Sequence, residues 1–136
     1  MSNTCDIIIK NVNAIIPFSG IVNTNILIEN GKIKALEKTI ENVSADTIIN
    51  AKNRYILPGV IDPHVHYGVY TPIDNAAITE STSAATGGVT TIMRMIRLEG
   101  SYRKIVNHLD VSKNTHITDY AVHASILEPE QIKDMS

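Results

Sequence analysis

Hydrophobic positions change their period once along this chain, just after His66. Before that point apolar residues gather in short β-branched clusters. Ile7, Ile8 and Ile9, then Ala14, Ile15 and Ile16, are bounded by Asn11, Asn13, Pro17 and Gly20, which predicts two strands joined by turns. Residues 25–29 and 32–36 flank Asn30-Gly31, a pair that accepts the positive φ angles of a type I′ turn, so a hairpin is predicted. Ile26 and Ile28 alternate with polar or exposed neighbours, as do Ile33 and Ala35, which predicts one buried and one wet face. A further strand, 46–49, leads through Ala51-Lys52-Asn53-Arg54 into Leu57-Pro58-Gly59-Val60-Ile61-Asp62-Pro63-His64-Val65-His66. The first 55 or so residues thus read as a small β domain of about five short strands. Such a sheet buries little core and is expected to lean on something else.

After His66 the spacing becomes helical and then alternates. Residues 72–75 supply a cap, 76–86 hold helix formers with a small face of Ala77, Ile78, Ser81, Ala84 and Ala85, and Gly87-Gly88 ends the helix. Residues 89–96 form a strand. Gly100-Ser101 opens a second helix with Tyr102, Ile105, Val106 and Leu109 at helical spacing. In a third strand, 118–126, Asp119, Ala121, His123 and Ser125 share one face, with Tyr120, Val122, Ala124 and Ile126 on the other. Glu128-Pro129-Glu130-Gln131-Ile132 looks like a helix start. Strand and helix in alternation is the rhythm of parallel β/α units.

Composition narrows the class without naming a chemistry. The 136 residues are 43% hydrophobic and 19% charged, a globular rather than disordered balance. A formal net charge of −2 and no basic run argue against nucleic acid as a partner. Cys5 is the single cysteine, so no internal disulfide framework exists. The amino terminus shows neither a basic n-region nor a long apolar core, and no apolar run approaches the roughly 20 residues that span a bilayer. A soluble cytoplasmic protein without a membrane partner is the expectation.

Candidate chemistry sits at the period change. In an extended chain His64 and His66, at i and i+2, lie on one face and can reach one metal ion. Pro63 has no amide hydrogen for a sheet ladder, so pairing stops beside them and the imidazoles project from a strand end. A pair of half-buried polar histidines is the bland alternative. Two ligands do not complete a site.

The run from Pro58 to His66 resembles the metal-binding signature of the amidohydrolase superfamily, nearest in form to the cyclic amidohydrolases: dihydropyrimidinase (hydantoinase), allantoinase and dihydroorotase. Gly87-Gly88-Val89-Thr90-Thr91 and Asp119-Tyr120-Ala121-Val122-His123 keep the family order as weaker motifs. The resemblance implies an α/β fold with a β-rich amino-terminal domain: a small β-sandwich segment, 1–57, completed in relatives by strands from the far carboxyl terminus, then the first three units of a metal-dependent (β/α)8 TIM barrel, 58–136. A whole barrel takes about 250 residues. It implies His64 and His66 as metal ligands, with two divalent ions, usually zinc, bridged by a carboxylated lysine. That lysine, two later histidines and an aspartate are expected beyond Ser136, so no catalytic residue is assigned within the chain; Lys104, Lys113 and Lys133 fall on or beside helices. It further implies a small cyclic amide as substrate and a homo-oligomer, often a tetramer.

Other residues receive plainer readings. Arg94 stands where relatives often carry an acid, and is expected to pair with a carboxylate such as Asp62 or Asp119, with contact to an anionic substrate as the alternative. Tyr67 and Tyr70 are read as loop packing or pocket lining. Asp62 is read as orienting backbone or a neighbour; His123, His108 and His116 as structural; Cys5 carries no chemistry. The leading function is metal-dependent hydrolysis of cyclic amides, by a chain inactive alone. A non-catalytic dihydropyrimidinase-related assembly or signalling protein, a degenerate fragment, and an unrelated β-rich module are the alternatives.

Overall fold

The computed structural model describes residues 4–135 and divides into two units, Met1–Pro58 and Gly59–Ser136. The first unit is one five-stranded mixed sheet: β1 (Thr4–Ile16), β2 (Gly20–Glu29), β3 (Lys32–Glu37), β4 (Ser44–Asn50) and β5 (Tyr55–Ile56). Its order is β3-β2-β1-β4, with β5 also on β1. β2 runs antiparallel to β1, while β4 and β5 run parallel to it.

Two expectations are corrected here. The two strands predicted before Pro17 are one, because Asn11 adopts φ 55° and absorbs a register shift between Ile9 and Val12 instead of turning the chain. Its amide donates to Asn25 Oδ1 at 3.0 Å, so the bulge leaves that group satisfied. The hairpin, by contrast, turns as predicted, with Asn30 at φ 52° and Gly31 at φ 70°. β2 is not wet on one face. Ile26 joins Val12, Ala14 and Ala51, while Leu27, pointing the opposite way, joins Cys5 and Ile8. Ile33 is left exposed.

In the second unit β6 (Val60–Val65), β7 (Val89–Arg97) and β8 (Asp119–Ser125) form a parallel sheet in that order. α1 (Ile73–Thr86), a 3-10 turn (Tyr102–Lys104) leading into α2 (Ile105–Ser112), and α3 (Pro129–Lys133) follow the strands in turn. The expected cap at 72–75 is not a side-chain cap: Pro72 occupies the position and makes no such bond. Gly87 donates to Ser83 and Ala84 carbonyls and Gly88 takes φ 89°, so the helix ends where its glycines predict. Its inward face is Ala76, Ala77 and Ser81, which pack near Tyr67 and Ile92 or bond the next loop; Ile78 and Ala85 point outward, one notch from the predicted stripe. Ser81 Oγ accepts from Ile117 N at 3.1 Å. On α2, Val106 and Leu109 are exposed.

Two close fits fix the ends of these strands. At the entrance to β6, a Cβ on Gly59 would lie 2.2 Å from Thr90 Oγ1, so only glycine lets β6 start beside β7. At the far end, Gln131 is fully buried. Its Oε1 accepts from Leu127 N at 2.7 Å and Glu128 N at 3.0 Å, and its Nε2 donates to the Leu98 and Gly100 carbonyls, each at 2.9 Å. The loop after β7 is thereby tied to the start of α3. Among the described residues, no helix is long and apolar enough to cross a membrane.

Candidate metal centre and its cleft

β6 pairs Ile61 with Thr91 and Asp62 with Ile92, and resumes only at Val65 with Arg94. Pro63, lacking an amide hydrogen, sits in that gap. Asp62 Oδ1 accepts from the His64 amide at 3.1 Å, holding the backbone that carries the first histidine. The outcome is convergence: His64 Nε2 and His66 Nε2 lie 3.0 Å apart, with ring centroids at 4.9 Å and planes at 64°.

That separation suits a shared cation. Two nitrogens bound to zinc at about 2.0–2.1 Å and a tetrahedral angle lie about 3.3 Å apart, a few tenths from what is observed. Both rings are exposed, so an ion could enter. Among the described residues, no group of three or more His, Cys, Asp or Glu gathers around one point, so the pair supplies half of a four-ligand set.

Both imidazoles line a cleft of about 430 Å³ whose wall also includes Arg94, Arg97, His108 and Ser125. His123, Asp119 and Tyr70 do not line it, and Tyr70 is fully exposed in a neighbouring depression. The expected pairing of Arg94 with Asp62 or Asp119 is not made. Arg94 shares its strand face with Ile92 and Ile96, on the side packed against α1, and only 6% of it is exposed. Its Nε donates to the Tyr67 carbonyl at 3.0 Å and its Cζ lies 5.4 Å from the Tyr67 ring centroid. Tyr67 in turn meets His116, Oη to Nε2 at 2.5 Å, and His116 stacks on Tyr120 at 4.2 Å. The sequence left this cluster unread; its one signal is an arginine at the buried beat of Ile92-x-Arg94-x-Ile96.

Burial dominates the electrostatics of the cluster. It pushes the Tyr67 phenol up to about 12, against the pull of Arg94, and lowers Arg94, against the pull of Tyr67. It lowers His108 and His116, and the positive field of Arg94 lowers both further, while the Ser112 carbonyl beside His116 acts in the opposite sense. The folded state therefore refuses protons that the unfolded histidines accept near 6.5. Stability is full above that pH and declines as pH falls through it. Urea unfolding from pH 7 to pH 5 is expected to show this decline, and His116→Gln, which keeps a polar partner for Tyr67, is expected to flatten it; an equal slope in the variant would remove His116 as a source.

No family model matches the chain. The L-hydantoinase of Paenarthrobacter aurescens is 34% identical over 99 residues, 66% of this chain and 20% of that protein. The D-hydantoinase of Rhizobium radiobacter is 34% identical over 130 residues, 91% and 28% of the two chains. The dihydroorotase of Pediococcus pentosaceus is 27% identical over 135 residues, 94% and 31%. Among solved structures, L-hydantoinase (dihydropyrimidinase) from Arthrobacter aurescens superposes with a TM-score of 0.83 at 26% identity, over 96% of this chain and 30% of that one. The chain belongs to the cyclic amidohydrolase group. It matches the amino-terminal part of the solved hydantoinase and spans less than a third of the length of these relatives. Within this cyclic amidohydrolase segment, the structure brings His64 and His66 together and sets Asp62 behind them. Tyr67 both packs the loop and lines the cleft.

Proposed function

We propose that this chain is the front part of a metal-dependent hydrolase of cyclic amides, of the dihydropyrimidinase or hydantoinase type. The observation that carries the reading is the approach of His64 Nε2 to His66 Nε2 at 3.0 Å, at the carboxyl end of the first strand of a parallel β/α sheet. That is the end at which (β/α)8 barrels place their active sites. On this reading residues 1–57 are the β-sandwich segment and 58–136 the first three barrel units.

His64 and His66 would hold a divalent ion, with zinc the first choice among metals that imidazole suits. Asp62 fixes the backbone from which His64 projects, and the gap in pairing at Pro63 leaves both rings free of the ladder. When bound, the metal pair polarises an amide carbonyl and lowers the pKa of water toward neutrality. The remaining ligands and the proton-transferring group that such hydrolysis needs would come from residues other than these 136. Two imidazoles alone leave a metal short of ligands, so the 136 residues by themselves are expected to be inactive.

The test is the intact mass of the protein from its native source, followed by metal content and hydantoin and dihydropyrimidine hydrolysis on the same sample. A mass several times 14.9 kDa, with about two metals per chain and ring opening, is expected. A mass of 14.9 kDa without metal or activity would overturn the reading.

A further inference from the structure

His64 and His66 face one side of their segment, while Val65 and Tyr67 face the other and pack with Ala76, Ala77 and Ile92. Both imidazoles are exposed, and among the described residues each ring has only the other as a hydrogen-bond partner. Ligand histidines are ordinarily aimed by a partner on the second ring nitrogen. Here the direction of the rings comes from the backbone that carries them.

That backbone is held at two places. On the His64 side, Asp62 Oδ1 accepts from the His64 amide at 3.1 Å. On the His66 side the ladder has run out, because Val65 opposite Arg94 is the last pair between β6 and β7. A side chain takes over: Arg94 Nε donates to the carbonyl of Tyr67, one residue beyond His66, at 3.0 Å. The bond is buried, where a hydrogen bond is electrostatically stronger than in water. Tyr67 is gripped twice more, its ring lying 5.4 Å from Arg94 Cζ and its Oη meeting His116 Nε2 at 2.5 Å. Directly after that carbonyl the chain turns at Gly68, φ 73°, so close over the guanidinium that a Cβ would stand 3.1 Å from Arg94 Nη2. His66 therefore hangs between a ladder pair and a clamp.

The clamp uses one N–H rather than the charge. Arg94 Nη1 has no hydrogen-bond partner, and among the described residues no carboxylate pairs with the guanidinium. We propose that Arg94 is a positioning residue for the metal centre: through Nε and the Tyr67 carbonyl it holds His66 at the angle at which its Nε2 meets that of His64. The proposal rests on the metal-centre reading above and deepens it, by assigning the aim of one ligand to an arginine on the opposite side of the sheet.

Three substitutions separate the donor from the charge and the bulk. Arg94→Gln puts an amide nitrogen as many bonds from the backbone as Nε, without charge; Arg94→Lys keeps the charge but moves its donor one bond further out; Arg94→Met has neither. Two measurements are made on each chain: NMR cross-peaks between the ring protons of His64 and His66 without metal, and zinc affinity by calorimetry. The wild-type rings, with centroids 4.9 Å apart, are expected to show the cross-peaks. Arg94→Met should lose them, with zinc affinity falling about 10- to 100-fold. Arg94→Gln should keep both signals near the wild-type level, a rescue that loss of bulk or general loosening would not allow, and Arg94→Lys should lose most of both. If the methionine variant does not fold, glutamine against lysine decides. A methionine variant that keeps the cross-peaks, a glutamine variant that loses them, a lysine variant that outperforms glutamine, or a wild-type chain without them would each overturn the proposal. If the wild-type chain takes no zinc, the metal reading falls while the cross-peaks still test Arg94. If zinc binds equally to every variant, Arg94 alone falls.

Discussion

Alanine at both His64 and His66 is expected to abolish stabilisation of the chain by zinc. The imidazole nitrogens stand 3.0 Å apart, and no third His, Cys, Asp or Glu joins them among the described residues, so no other donor inherits the ion. At zinc a hundredfold above its dissociation constant, the wild-type chain should gain about 2.7 kcal/mol by mass action. The double variant should gain nothing. Either single variant leaves one imidazole, and affinity should fall more than a hundredfold, beyond the roughly 10- to 100-fold lost when only an outer partner of a ligand is removed. Asp62→Asn, which can still accept from the His64 amide, belongs in that milder range. Calorimetric titration of the four variants decides the matter, and unchanged zinc binding in the double variant would dismiss the pair as a metal centre.

Gln131→Ala should be the most damaging single substitution in the second unit. The side chain is fully buried and serves four backbone groups at 2.7–3.0 Å: two amides at the start of α3 and two carbonyls after β7. Truncation leaves all four without that partner. Each buried group so orphaned costs about 1–3 kcal/mol, and with water entering at the surface side a total of about 3 kcal/mol is expected. Gln131→Glu should not rescue, because a carboxylate would face the Leu98 and Gly100 carbonyls with no hydrogen to give. Hydrogen exchange locates the effect: Leu127 and Glu128 amides should exchange about a hundredfold faster. If exchange there is unchanged while global stability falls, the lock is not where this geometry puts it. Ser101 Oγ and Tyr102 N, both donating to Asp134 Oδ2 at 2.5 and 3.0 Å, are a second tie between the same segments, so α3 should loosen rather than detach.

Much of this architecture could be read from neighbours in sequence, because its causes are local. Asn30-Gly31 turns the hairpin through its own backbone angles. Gly87-Gly88 ends α1 for the same reason. Pro63 breaks the ladder simply by lacking a proton, and the one-residue spacing of His64 and His66 puts their rings on one side. What escaped the reading depends on partners far along the chain. Asn11 looked like a turn residue, but Asn25, fourteen positions away, satisfies its amide and lets β1 run on. Arg94 looked like a charge in need of a carboxylate; its partner is the carbonyl of Tyr67, 27 residues earlier, and a carbonyl has no signature in sequence. The outward notch of α1 has the same origin, since Ser81 is drawn inward by the Ile117 amide.

The single long β1 strand also sets a timetable for the first unit. Its antiparallel ladder with β2 starts from the nearby pair Ile16 and Gly20, so little chain must be closed to form it. Its parallel ladder with β4 joins Thr4 to Ser44 and Ile9 to Ile49 across about forty residues, and the contacts with β5 reach as far. Loop entropy delays such distant pairings relative to hairpins. On a ribosome, the β1–β2–β3 meander can therefore assemble as soon as it emerges, while one side of β1 waits, unpaired, for β4 to be synthesised.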